Sequence, residues 1–307
     1  MEQIKDFASF MEKEKVRNIP TGQSGAMVCE ISGNRVAKWV RRSALQESSL
    51  WEKYLHEAAF YRHMKGSAVS FLPRVLFVEQ RDEEMLLVME KYAPLDREAL
   101  SDVLLEKVVD VLARIHTLPM PGFIQQPDNR PLIHEQEALK GYANGWGSVL
   151  REHGNVFFAD ILQDIARDIN QINRIFFSTK RCFTHGDFHF DNLLSDADGN
   201  MVVCDWQGCG CGEPSGDLAF LISRLSSDGY PLDAVKLVNA YCRCAGRYGL
   251  TVHPQDVQIQ MALSNLNVSF MYWHMYLHGA SRERVQGIFG KMAEDYRKLV
   301  KALKNDA

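Results

Sequence analysis

The sequence holds no uninterrupted apolar run of the roughly 18 residues that a membrane-spanning helix needs. Its most apolar stretch, 268–277, carries His274 and is much shorter, so no membrane association is expected. Excess basic charge is missing as well: 35 Lys and Arg stand against 39 Asp and Glu, a formal net charge of −4. That balance lacks the electrostatic footprint of a nucleic-acid partner. Residues Met1 to Asp6 bring charges where a secretory leader needs an apolar core, which predicts a cytoplasmic setting. The seven cysteines form an odd count without a Cys-x-x-Cys knuckle. Neither a secreted disulfide framework nor a thiolate zinc site is therefore expected, and Cys204, Cys209 and Cys211 read as compact buried hydrophobes. No internal repeat and no low-complexity tract is present.

What is there is an ordinary globular composition, 46% hydrophobic over 307 residues, enough chain for one large domain or two lobes. The first ninety residues alternate as strands at 26–31, 35–40, 74–78 and 85–89, with Ser32-Gly33-Asn34 as a hairpin turn. Between them, 49–64 repeats apolar positions at helical spacing. From about residue 94 the period is helical, with helices expected near 98–118, 135–150, 157–177, 217–225, 233–248, 254–277 and 281–303. Residues 182–205 break this pattern as loop, short strand, Asp198-Gly199-Asn200 turn and second short strand. The fold class expected is α+β: a small antiparallel N-terminal lobe (1–92) followed by a larger, mainly helical lobe (93–307).

The chemistry concentrates in His185-Gly186-Asp187-Phe188-His189-Phe190-Asp191-Asn192. Phosphoryl transfer asks for a carboxylate that orients the attacking hydroxyl and for hard oxygen ligands to Mg²⁺. Asp187 can be the first. Asn192, five residues on, and Asp205, at the end of the apolar strand Val202-Val203-Cys204, can be the second. Taken singly, each is also an ordinary turn or cap residue; the joint spacing with Asp217 is what sets them apart.

That spacing resembles the aminoglycoside phosphotransferase and choline kinase superfamily, relatives of the protein kinases. His-Gly-Asp-x-His-x-x-Asn is followed by an apolar strand ending in Asp205-Trp206 and by Asp217-Leu218-Ala219. The resemblance implies a bilobal protein-kinase-like fold in which Asp187 is the catalytic base and Asn192 and Asp205 hold Mg²⁺. His185 and Asp217 would support the catalytic loop. It also implies that Gly22, Ser24 and Gly25 cradle phosphates of ATP or GTP, although the same loop reads equally as a glycine turn. Lys38 of Val36-Ala37-Lys38 would contact the phosphates, with a glutamate of the following segment as its partner; Glu47, Glu52 and Glu57 are available, and Glu57 best resembles the family's helix motif. The segment with Glu90 and Tyr92 would meet the base, walled by Leu76, Met89 and Leu193.

The acceptor is less legible. Aminoglycoside-like antibiotics and related amines come first, which would make the role antibiotic resistance; choline, other amino alcohols, sugars and a non-catalytic nucleotide-binding protein are the alternatives. Gln207 departs from the Glu or Gly commoner in aminoglycoside enzymes. Trp273 and Tyr276, in the aromatic stretch 270–278, are candidate substrate contacts, though such a stretch is also what a core helix looks like. Asp160, Asp164, Asp168, Glu213, Asp228 and Asp233 are the carboxylates that could meet ammonium groups.

Overall fold

The computed structural model describes residues 4–19, 25–98, 100–126, 129–154 and 160–305. The chain begins with helix α1 (Phe7–Glu14), capped by the Asp6 carboxylate on the Ala8 and Ser9 amides, and strand β1 (Lys15–Asn18). It continues through β2 (Met27–Ile31), β3 (Arg35–Arg41), helix α2 (Ser49–His63), β4 (Val75–Gln80) and β5 (Glu84–Glu90). These strands form one antiparallel sheet in the order β1-β2-β3-β5-β4.

Period-2 alternation sorts the side chains of β3 and β5 between two cores. Ala37, Trp39, Leu86 and Val88 pack with Phe7 and Met11 of α1. Val40, Leu87 and Met89 belong to the opposite cluster, together with Trp51, Tyr54 and Phe60 of α2. Lys38 lies on that second face, between Val36 and Val40, so the register of β3 decides that its ammonium points at α2 and not at α1.

After a two-residue strand β6 (Ala93–Pro94) the chain becomes helical: α3 (Asp102–Ile115), α4 (Gln136–Arg151) and α5 (Asp160–Ile175). Helix α3 starts where Ser101 accepts the Leu104 amide, later than its apolar repeat alone suggested. The short strands β7 (Cys182–Thr184), β8 (Leu193–Ser195), β9 (Met201–Val203) and β10 (Gly210–Gly212) follow. They pair as β10 with β7, and as β6-β8-β9. Helices α6 (Pro214–Ser227), α7 (Ala234–Arg247), α8 (Pro254–Tyr272) and α9 (Arg282–Asn305) complete the chain.

This is the α+β, kinase-like architecture expected. No helix among the described residues is long and apolar enough to cross a membrane. One core runs from α2 through α3, α6 and α7, while α4, α5, α8 and α9 enclose another. Phe60 of α2 stacks on Trp206 at 4.3 Å between ring centroids, so the helix carrying Glu57 rests directly on the segment carrying Asp205.

Candidate active site

Strand β7 delivers the chain into the loop that holds Asp187. Two buried groups fix that loop. The Asp217 carboxylate, on the first turn of α6, accepts the amides of His185 (2.7 Å) and Gly186 (2.8 Å). The fully buried His185 ring reaches the Cys204 carbonyl through Nε2 (3.0 Å) and the Asp187 amide through Nδ1 (3.3 Å). A carbonyl at Nε2 requires a proton there and an amide at Nδ1 requires a lone pair, so the neutral tautomer is determined by its partners. Gly186, at φ +78°, lies so close to the segment after Asp205 that a Cβ would sit 1.9 Å from the Gly208 carbonyl oxygen. Only glycine fits there.

Asp187 itself is 45% exposed at its side chain. Its Oδ2 receives Nδ2 of Asn192 at 3.3 Å, and the same Nδ2 donates to the Asp187 carbonyl at 2.8 Å. These bonds use the amide nitrogen of Asn192 and leave its Oδ1, a hard oxygen, as the acceptor. Asp205 adopts the left-handed conformation (φ 63°), which costs a non-glycine residue about 1–2 kcal/mol and turns its carboxylate back towards β3.

There Lys38 Nζ binds Glu57 Oε2 at 2.8 Å and Asp205 Oδ1 at 2.9 Å. Burial works against the Lys38 ammonium, but the two carboxylates outweigh it and hold the group charged. Burial likewise pushes the Glu57 carboxyl up to about 7, against the pull of Lys38. Asp205 is held below its ordinary value despite burial, because Lys38 lies against it. Gln207 donates to Asp205 Oδ1 at 2.7 Å, which gives the unexpected glutamine a local task.

Burial keeps His185 neutral and moves its pKa below the ordinary 6.5. Its unfolded form therefore binds more protons than its folded form beneath that value, and stability rises with pH until about 6.5 is passed and falls on acidification. We expect the urea midpoint to drop between pH 7 and pH 5, with a flatter pH slope in His185→Gln. An unchanged slope in the variant would show that another group titrates.

Lys38, Glu57 and Asp205 thus meet in one place, with His185, Asp187 and Asn192 on the adjoining loop and Asp217 bracing that loop from α6. Gly25 has φ +78° and packs against Ala44 and Leu45; Gly22 and Ser24 lie outside the described residues. Glu90 and Tyr92 both hold Arg74, through Glu90 Oε1 (2.7 Å) and the Tyr92 hydroxyl (2.9 Å). Leu76 packs with the α1 core, on the sheet face away from Lys38, and so does not wall the base site as expected. Trp273 packs against the α4–α9 core and Tyr276 is mostly exposed. Neither makes a hydrogen bond, ion pair or ring contact with the catalytic loop among the described residues, because α8 ends at Tyr272 and the chain turns into a short 3-10 segment.

Sequence reading missed His116. From the end of α3 its Nε2 meets Asp217 Oδ2 at 3.2 Å and its Nδ1 meets the Tyr241 hydroxyl at 2.7 Å. The available signal was a histidine continuing the apolar face of Val108, Leu112 and Ile115. His56 was missed too; it binds the Cys209 carbonyl at 2.6 Å and ties α2 to the segment after Asp205.

A five-stranded sheet with a buried lysine–glutamate pair, packed on a larger helical part whose loop presents an aspartate, is a kinase-like fold. The sequence profile of the phosphotransferase enzyme family matches residues 15–251, and the chain belongs to that family. It is a small-molecule kinase whose acceptor group is a hydroxyl. Among solved structures, ADP-bound aminoglycoside phosphotransferase APH(2'')-Ib is similar over 94% of this chain and 98% of its own, with a TM-score of 0.59 at 16% identity. A choline kinase from Cryptosporidium parvum Iowa II matches 96% of this chain and 92% of its own (TM-score 0.58, 13% identity). The choline kinase LicA from Streptococcus pneumoniae matches 96% and 98% (TM-score 0.54, 12% identity). At these identities the likeness is one of fold. No curated protein matches the sequence significantly.

Proposed function

We propose that this chain transfers the terminal phosphoryl group of ATP or GTP to a hydroxyl of a small polyhydroxylated molecule, with residues 1–92 gripping the nucleotide and 93–307 supplying base and acceptor site. The observation that carries this reading is the Lys38–Glu57–Asp205 cluster, joined to the Asp187 loop through the Gly186–Gly208 contact. Glu57 aims Lys38 at the cleft, where the ammonium offsets charge on the phosphates. Asp187, oriented by Asn192, accepts the proton of the attacking hydroxyl and holds its oxygen in line.

Asn192 and Asp205 suit Mg²⁺: both offer hard oxygens, and no three His, Cys, Asp or Glu side chains gather into a metal cage among the described residues. A shell completed by phosphate and water is what Mg²⁺ prefers. The ion would neutralise phosphate charge. Asp205→Asn should weaken Mg²⁺-dependent nucleotide binding at least tenfold, about 1.4 kcal/mol, in calorimetry. Unaltered Mg²⁺ dependence would remove Asp205 from the metal site.

For the acceptor, an aminoglycoside-like amine is one reading, since aminoglycoside phosphotransferases share the fold. A sugar-type metabolite is the other, and charge pairing favours it. Asp164 and Asp168 bind Arg167, Glu213 lies beside Arg181, Asp228 binds Arg97, and Asp233 caps α7. These five of the six candidate carboxylates, all but Asp160, are already engaged and do not await ammonium groups. A non-catalytic role finds no support, because Lys38, Asp187, Asn192 and Asp205 are all present.

A further inference from the structure

The side chains linked to Asp187 through His189 and Asp191 are not a ring of acids. His189 lies between two carboxylates, its Nε2 3.6 Å from Asp187 Oδ2 and its Nδ1 3.5 Å from Asp191 Oδ2. The Phe220 ring of α6 stands edge-on to it at 5.7 Å. Arg224, one turn further along α6 and so on the same face, extends towards Asp191. Arg97, from the segment before α3, binds Asp191 Oδ1 and reaches Asp228 Oδ2 at 3.1 Å.

The charge count decides the chemistry. Besides Asp187 itself this corner has two carboxylates and two guanidinium groups. Arg97 engages both carboxylates, so neither is left as an unpaired anion. Arg224 is 46% exposed and makes one contact, Nη2 to Asp191 Oδ2 at the marginal distance of 3.5 Å. A guanidinium carries five N–H donors in a rigid fork that matches carboxylate and phosphate oxygens. Most of that fork is uncommitted, and Asp191 and His189 link it to the Asp187 carboxylate, the oxygen assigned to the hydroxyl proton. A polycation brought here would meet two guanidinium groups, with Asp187 as the one carboxylate not held by them.

We infer that the acceptor is a hydroxylated molecule carrying an oxyanion, carboxylate or phosphate, which Arg224 receives with Arg97 behind it; the inference rests on Asp187 being the base. Phe220, 38% exposed, offers the apolar face against which the carbon skeleton lies. Arg224 thereby becomes a specificity-determining residue: it binds the end of the acceptor that does not react, and fixes which hydroxyl arrives at Asp187.

The alternative is an ordinary surface ion pair with Asp191, of little energetic consequence. A matched acceptor series separates the two. Full-length protein with Mg²⁺ and ATP is offered gluconate and glucose 6-phosphate as carboxylate and phosphate probes, sorbitol and glucose as their neutral counterparts, and gentamicin as a polycation. Product phosphorylation is read by mass spectrometry and ADP release. The expected result is a kcat/KM for one or both anionic probes at least ten times that of the neutral partner. Arg224→Gln should then raise KM for the preferred anion at least tenfold more than for its neutral partner, with an unshifted melting temperature. Arg97→Gln should act in the same direction.

Preference for gentamicin, or an Arg224→Gln effect equal on charged and neutral acceptors, would overturn the inference and leave the kinase reading standing. Absence of phosphoryl transfer to every probe, with ATP still bound, would count against the kinase reading itself and take the inference with it. Gluconate without glucose 6-phosphate, or the reverse, identifies the oxyanion.

Discussion

Asp187→Asn should lower kcat by about 10²–10⁴-fold, the usual contribution of a positioned general base, while nucleotide binding stays near that of the parent protein. The two effects separate because Asp187 and the lysine cluster use different partners. Asparagine keeps the shape and can still accept the Asn192 amide, so the loop has no reason to move. What it loses is the ability to take a proton. Single-turnover kinetics with saturating ATP and acceptor give the first quantity, and calorimetry with a non-hydrolysable nucleotide gives the second. A variant that turns over at the parental rate would transfer the base role to another residue, and loss of nucleotide binding would mean the loop had collapsed.

Asp217→Ala should damage both stability and rate without touching substrate. The carboxylate is buried and accepts from the His185 amide, the Gly186 amide and the His116 ring. Burial opposes its charge, but these donors outweigh that and hold its pKa below the ordinary value. Alanine leaves the donors buried without an acceptor, at about 1–3 kcal/mol each. Even with partial relaxation the total is of order 5 kcal/mol, a large share of the roughly 5–15 kcal/mol that holds a domain folded. A fall in melting temperature of roughly 10 °C is expected. A change under about 2 °C on that same scale would mean that the loop amides find other partners.

The legible parts of this chain were those in which local sequence and tertiary environment agree. The Asp187 loop was readable because its candidate residues are contiguous: Asp187 and Asn192 stand five residues apart, and the strand that leads to Asp205 follows at once. Lys38 and Glu57 were readable because a strand and an amphipathic helix announce their own faces. Strand β1 was not, since all four of its residues are exposed and no alternation marks it; pairing with β2 alone makes it a strand. Strand β10, Gly210-Cys211-Gly212, has almost no β propensity and exists because β7 lies beside it. His116 stands 101 residues from Asp217, and Arg97 is 94 from Asp191. No local pattern carries such distances. The aromatic stretch reads as a core helix as readily as a substrate wall, and Trp273 packs against the core behind it.

The contact between Gly186 and Gly208 has a mechanical meaning. With no side chain in the seam the two loops meet backbone to backbone, so Asp187 and Asp205 ride on a single plate. A push on one loop arrives undamped at the other.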